Sequence, residues 1–67
     1  MITVTINGER RNFERAMPCA DLVEELGLAG KRIALERNGE IVPRSEYPRR
    51  SIADGDRLEI VVAVGGG

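Results

Sequence analysis

The residues with the clearest chemical potential are Gly65, Gly66 and Gly67, which follow directly on an apolar run. Glycine packs no side chain and loses the most conformational entropy on ordering, so three in succession predict a loose, extended tail. At about 3.3–3.6 Å per residue, this tail carries the Gly67 carboxylate on the order of 10 Å beyond the folded body. A segment this narrow can thread a channel in another protein. A frayed terminus is the alternative interpretation.

Other reactive side chains are scarce among the 67 residues, which include no histidine and a single cysteine, Cys19. Without histidine, neither the usual zinc-ligand sets nor a Ser–His or Cys–His nucleophile pair can be assembled. Cys19 has no partner for an internal disulfide. It falls at an apolar helical position, where a free cysteine is usually a small core side chain rather than a sulfur donor. We therefore expect no metal site and no catalysis by this chain alone.

Composition and charge exclude several other classes of function. Ten basic and eleven acidic residues give a net charge of −1, so no overall field attracts nucleic acid or an anionic membrane surface. No apolar stretch approaches the ~20 residues of a membrane helix, and the first residues are typical of a strand rather than of a signal peptide. These features predict a cytoplasmic domain. Its core should be aliphatic, because the chain has one Tyr, one Phe and no Trp.

The first third of the chain has the pattern of a hairpin followed by a helix. Ile2, Val4 and Ile6 alternate with threonines, and the Asn7-Gly8 pair is the strongest short hairpin signal. The return strand, about residues 9–13, is polar and suits a sheet edge. After Pro18, apolar residues at i, i+3, i+4 and i+7 predict an amphipathic helix that ends at Gly27. Its apolar positions are Cys19, Leu22, Val23 and Leu26.

The rest of the chain predicts three more strands. The third begins at Ile33 and ends at the Asn38-Gly39 turn, and Ile41 and Val42 begin a short fourth strand. An irregular stretch with one helical turn follows, because two prolines remove backbone donors. Beyond it, Ile52 is expected to plug the core. The last strand follows an Asp54-Gly55-Asp56 turn. Alternate side chains of this strand face the core, and we expect the inward set to be Leu58, Ile60 and Val62.

A hairpin, one crossover helix and a returning strand can fold as a mixed sheet curled around the helix. The right-handed crossover rule places the first and last strands side by side and parallel in the middle. This is an α+β fold of the β-grasp, ubiquitin-like type, with about five strands and one main helix. We expect residues 1–64 to form the domain and residues 65–67 its flexible tail.

The order of these segments resembles the small β-grasp sulfur carriers, most closely the thiamine-biosynthesis branch. A terminal Gly-Gly is shared with ubiquitin and with the small subunit of molybdopterin synthase. The third glycine and the Ile-Val-Pro-Arg stretch look like the thiamine branch. The matching segments are residues 2–8, the helix 20–26, the stretch 34–47 with Ile41-Val42-Pro43-Arg44-Ser45, the turn 54–56 and the ending Val64-Gly65-Gly66-Gly67.

The resemblance implies a role for the tail. Gly65 and Gly66 would thread the active site of an adenylating enzyme, which would use ATP and Mg²⁺ to convert the Gly67 carboxylate into an acyl adenylate. Sulfur relayed from cysteine by a desulfurase would then replace AMP. The resulting thiocarboxylate on Gly67 would pass its sulfur to thiazole synthase. The chain itself would bind no cofactor.

Partner docking and three competing functions complete the expectations. Val61 and Ala63 have the strand parity opposite to the core and, together with Val64 next to the tail, could form an exposed apolar patch for partners, although single exposed apolar residues are also ordinary. The alternatives are the small subunit of molybdopterin synthase, a ubiquitin-like modifier that forms isopeptide bonds through Gly67, and a β-grasp interaction module. Only for the module would the glycines be dispensable.

Overall fold

The structure, a computed structural model, describes residues 1–63. This range contains five strands, one α-helix and one 3-10 turn. The hairpin strands are β1 (Ile2–Ile6) and β2 (Glu9–Phe13), and the helix α1 spans Cys19–Glu25. The later elements are β3 (Ile33–Arg37), β4 (Glu40–Ile41), the 3-10 turn Arg44–Glu46 and β5 (Arg57–Val62).

The five strands form one mixed sheet in the order β2-β1-β5-β3-β4. β1 and β5 lie side by side and parallel at its centre, and the other neighbouring pairs are antiparallel. This arrangement confirms the predicted α+β, ubiquitin-like β-grasp fold. It places β5, the strand that precedes the glycines, between two neighbours rather than at an edge.

Both predicted Asn-Gly hairpins are present. Asn7 and Gly8 have φ angles of 51° and 84°, and Asn38 and Gly39 have 50° and 87°. Two consecutive left-handed residues are typical of a type I′ turn, whose twist matches that of the flanking strands. Asparagine tolerates this backbone region better than most residues, which explains why the pair occurs twice.

The ends of α1 are closed in two different ways. Pro18, at the N-cap, supplies no side-chain hydrogen bond. Instead, the N–H of Cys19 donates to the Arg50 carbonyl at 2.7 Å and that of Ala20 to the Tyr47 carbonyl at 3.1 Å. At the other end Gly27, with φ of 74°, allows a Schellman motif in which Leu28 N–H donates to the Val23 carbonyl at 2.9 Å.

The core between sheet and helix is aliphatic apart from Cys19 and Tyr47. Cys19 and Ile52 are fully buried, as predicted, so the excursion between β4 and β5 is anchored in the core. Two details differ from the sequence prediction. The fourth strand begins one residue earlier, at Glu40. Val62 lies on the inner face but is 36% exposed, and the pairing of β1 with β5 ends before it, at Leu58. The buried hydrophobic residues are Val4, Ile6, Cys19, Leu22, Val23, Leu35, Val42, Tyr47, Ile52, Leu58 and Ile60.

Candidate functional site

The predicted site lies at the far end of β5, and the structure describes part of it. Val61 and Ala63 are described, whereas Val64, Gly65, Gly66 and Gly67 lie outside the described residues. The N–H of Ala63 donates to the carbonyl of Arg32, the residue before β3, at 2.9 Å, so the pairing between these two segments continues one residue beyond β5. The central strand that leads toward the glycines is therefore hydrogen-bonded up to the last described residue, Ala63.

The outer face of the sheet carries a small apolar surface beside this end of β5. The Val61 side chain is 64% exposed and lies opposite Ala34 on β3, and Ala63 is also exposed. Ile41, at 62% exposure, shares this face because it pairs with Glu36, which in turn pairs with Glu59. We call Ala34, Ile41, Val61 and Ala63 the outer patch.

Sequence reasoning identified only the β5 half of the outer patch. The exposure of Val61 and Ala63 agrees with the strand parity, while their role in docking stays a prediction. Ala34 was readable from the alternation of β3, in which Ile33 and Leu35 have the opposite parity. Its position beside Val61 required the register of two strands that are far apart in sequence.

A row of like charge borders the outer patch. Glu36 and Glu59 lie directly opposite each other on β3 and β5, with Ile41 next to Glu36 on β4. Like charges at directly opposed positions destabilise a sheet by a few tenths of a kcal/mol, so a cationic group nearby would be favourable. The outer patch is therefore a small apolar surface with an acidic pair at its border.

A groove of about 210 Å³ lies on the inner side of the same strand end. Its apolar wall includes Leu26 and Leu28 from the end of α1, and Val62 from β5. Charged side chains from β2 complete the rim. The groove is lined by Ile6, Asn7, Glu9, Arg11, Leu26, Leu28, Ile60 and Val62.

The side chain of Asn7 links the first hairpin to β5. Its Oδ1 accepts a hydrogen bond from the Ile60 N–H at 2.7 Å, and its Nδ2 donates to the Ile60 carbonyl at 3.0 Å. The backbone N–H of Asn7 donates to the Leu58 carbonyl at 2.9 Å. Hydrophobic periodicity does not indicate this contact, because asparagine before glycine is already explained by the turn.

The beginning of β5 is held by a buried carboxylate. Asp56 is 6% exposed, and its Oδ2 accepts hydrogen bonds from Arg37 Nε at 2.8 Å and from the Ala53 N–H at 2.7 Å. Its Oδ1 accepts from Asn38 Nδ2 at 3.1 Å. Burial by itself would raise the pKa of Asp56, but the hydrogen bonds from Arg37, Asn38 and Ala53 outweigh it, so the pKa lies below its usual value.

Cys19 is not part of the surfaces around this strand end. It is fully buried in the core, which confirms its predicted packing role. Burial raises the pKa of its thiol, so the neutral and poorly nucleophilic form dominates at neutral pH. Within residues 1–63, no cluster of three or more His, Cys, Asp or Glu side chains is arranged to hold a metal ion. No helix in that range is long and apolar enough to cross a bilayer.

The comparison with known families decides what kind of protein carries this strand end. The model of the ThiS family matches residues 4–67, which include the glycines. The chain belongs to the ThiS family. A curated ThiS relative, the sulfur carrier protein of Thermus thermophilus, is 36% identical over 64 residues, covering 96% of this chain and 98% of that protein. ThiS proteins are small sulfur carriers of thiamine biosynthesis.

A solved ThiS structure has the same fold. The crystal structure of the thiamine biosynthesis protein ThiS from Geobacter metallireducens superimposes with a TM-score of 0.85 at 26% identity. The alignment covers 98% of this chain and 100% of that one. The ThiS fold therefore extends over nearly the whole length of both proteins.

Two further relatives are much longer. The thiazole synthase of Paramagnetospirillum magneticum is 50% identical to this ThiS chain over 64 residues, and that of Magnetococcus marinus is 34% identical. These matches cover 96% of this chain but only 20% of each synthase. The chain thus spans about a fifth of the length of the thiazole synthases that it resembles.

Proposed function

We propose that this chain carries sulfur as a thiocarboxylate on Gly67 and donates it during formation of the thiazole ring of thiamine. The observation that carries the proposal is the ThiS family match over residues 4–67, which takes in Gly65, Gly66 and Gly67. The Thermus thermophilus relative, a sulfur carrier protein of matching length, supports the same conclusion. In this role the chain is a co-substrate of its partner enzymes rather than a catalyst.

The chemistry begins with activation of the carboxylate by an adenylating enzyme. A Gly67 carboxylate oxygen attacks the α-phosphorus of ATP, and pyrophosphate leaves. Negative charge develops on the phosphate oxygens, which calls for Mg²⁺ and cationic side chains, and we assign these to the partner. Acyl adenylates hydrolyse in water, so the step needs an enclosed site, which an unbranched glycine segment enters without clashes.

Sulfur transfer follows at the acyl carbon. A cysteine desulfurase takes sulfur from cysteine as a persulfide, whose terminal sulfur attacks the acyl carbon and expels AMP. A thiol then reduces the resulting acyl disulfide and leaves the thiocarboxylate on Gly67. Thiazole synthase accepts the sulfur, and an oxygen atom from water or from the carbonyl group of its substrate restores the carboxylate. The 50% identity between this chain and part of a thiazole synthase supports that synthase as a partner. The central position of β5 supports presentation of the reactive end to both enzymes in turn.

Intact-mass analysis tests the proposal directly. The carrier is incubated with ATP, Mg²⁺, an adenylating enzyme of the ThiS pathway, a cysteine desulfurase, cysteine and a thiol reductant, and fragment ions then locate any mass change. We expect one oxygen to be replaced by sulfur within Gly67, and the change to require ATP. Sulfur found on Cys19, or isopeptide conjugates on lysines, would contradict the proposal. Consumption of the thiocarboxylate by a molybdopterin synthase large subunit, but not by thiazole synthase, would move the function to the molybdenum-cofactor pathway.

The docking role proposed for the outer patch leads to a prediction for Val61. Val61→Lys places a charge at the centre of this exposed apolar surface, beside the exit of the chain. We expect it to raise the KM of the adenylating enzyme for the carrier by about tenfold, the equivalent of about 1.4 kcal/mol of binding. The kcat should stay unchanged at saturating carrier, because lost docking energy is uniform binding.

A matched control separates docking from added charge. Ala53→Lys introduces the same side chain at an exposed position near the opposite end of β5, before the Asp54-Gly55 turn. This variant should keep the KM of the unmodified carrier. Equal KM values for the Val61 and Ala53 variants would show that the outer patch does not contact the adenylating enzyme.

A further inference from the structure

The amide of Asn7 takes the place of a strand residue at the point where β1 leaves the sheet. The Thr5 N–H donates to the Asp56 carbonyl and the Asn7 N–H to the Leu58 carbonyl, both at 2.9 Å. The next rung of this parallel ladder would need a further residue of β1, but the chain turns back at Gly8. The Asn7 side chain supplies that rung instead, with one donor and one acceptor for Ile60.

This rung decides how far β5 is held from both sides. On the β3 side, register pairing reaches Val62, and Ala63 is bonded to the Arg32 carbonyl. On the β1 side, without the Asn7 amide, the backbone hydrogen bonds among the described residues would stop at Leu58. A strand end that is held from one side only can twist and fray more readily than one held from both.

We propose that Asn7 is a positioning residue, whose side-chain amide fixes the end of β5 and hence the direction in which the chain continues past Ala63. This role rests on the proposed function, in which that continuation must enter a narrow partner site. If the end of β5 samples several directions, only a fraction of carrier molecules is ready to bind. The apparent affinity for the partner falls by that fraction, while the chemistry after binding is unaffected.

The type I′ turn allows the amide to be removed almost in isolation. Asn7 has φ of 51°, a conformation that glycine adopts without a steric penalty, so Asn7→Gly keeps the turn and loses the two bonds to Ile60. Asn7→Asp keeps an oxygen acceptor for the Ile60 N–H but loses the donor to its carbonyl. Asn7→Gly therefore removes both hydrogen bonds to Ile60, whereas Asn7→Asp removes one of them.

Asn38→Gly is the matched control. Asn38 has φ of 50°, precedes a glycine in the other type I′ turn, and also makes two side-chain hydrogen bonds, to Asp56 and to the Arg57 N–H. These bonds hold the beginning of β5 rather than its end. The control thus reproduces the general cost of losing a turn amide while leaving the Ile60 rung intact.

The test combines hydrogen exchange with steady-state kinetics of thiocarboxylate formation at varied carrier concentration. We expect Asn7→Gly to lose protection of the Ile60 amide and to raise the KM for the carrier about three- to tenfold at unchanged kcat. Asn7→Asp should retain protection of the Ile60 amide and show a smaller rise in KM. Asn38→Gly should leave the KM within about twofold of the original value.

Two outcomes would overturn the positioning role. The first is an equal rise in KM for Asn7→Gly and Asn38→Gly, which would indicate general destabilisation. The second is an unchanged KM in an Asn7→Gly carrier whose Ile60 amide has lost its protection from hydrogen exchange. The order at the end of β5 would then not affect how the carrier binds its partner. An unsubstituted carrier that gains no thiocarboxylate at all would instead overturn the proposed function, and this role with it.

Discussion

Deletion of Gly66 and Gly67 is expected to abolish thiocarboxylate formation, and with it sulfur donation to thiazole synthase. The free energy of unfolding should change by no more than about 0.5 kcal/mol, because every buried core residue of the described range 1–63 lies within residues 4–60. Intact-mass analysis after incubation with the adenylating enzyme measures the first effect, and urea unfolding measures the second. Loss of thiocarboxylate formation without a loss of folding stability is expected if Gly66 and Gly67 serve the reaction and do not contribute to the fold.

The control for this deletion keeps all three glycines. A chain with one alanine added after Gly67 retains the narrow segment but moves the carboxylate by one residue and places a side chain at the reacting end. It should also fail to form the thiocarboxylate. Normal thiazole formation by the truncated carrier would contradict the proposed chemistry and would favour a β-grasp interaction module, for which the glycines are dispensable.

Replacement of Asp56 by alanine is expected to lower the free energy of unfolding by about 3 kcal/mol. The substitution removes the charged hydrogen bond from Arg37 and leaves the Ala53 N–H and the Asn38 amide without their acceptor. A domain of 67 residues has only a few kcal/mol in reserve, so a measurable unfolded population should appear in mild urea.

The control for Asp56 is Asp54→Ala. Asp54 is exposed and accepts one hydrogen bond, from the Thr3 N–H at 2.7 Å, so its loss should cost about 1 kcal/mol or less. Similar losses for the two variants would show that burial of Asp56 adds nothing to the network. An Arg37→Met variant combined with Asp56→Ala isolates the coupling between the two partners.

The lowered pKa of Asp56 also sets the direction of an acid effect. Because the pKa is lower in the folded state, the ionised carboxylate stabilises the fold at every pH above its unfolded value, which is about 3.9. This contribution is lost as the pH falls through the folded pKa. Urea unfolding between about pH 5 and pH 2 should therefore show a steeper loss of stability in the unsubstituted chain than in Asp56→Ala.

Local features of this protein were readable from the sequence because each depends on residues a few positions apart. The Asn-Gly pairs predicted both turns, the alternation of Ile2, Val4 and Ile6 predicted β1, and Gly27 predicted the end of α1. The exposure of Val61 and Ala63 followed from strand parity alone. The parallel pairing of the first and last strands at the centre of the sheet was also accessible, because the hairpin, one crossover and chirality leave few topologies.

Contacts between residues far apart in the chain were decided only by the tertiary structure. Asn7 bonds to Ile60 across 53 positions, and Asp56 gathers Arg37 and Asn38 from 19 and 18 positions away. The helix obtains its N-terminal hydrogen bonds from the Arg50 and Tyr47 carbonyls rather than from a capping side chain. Periodicity shows which face a residue occupies, but the register between strands, and hence its neighbour on that face, is set by how the whole core packs.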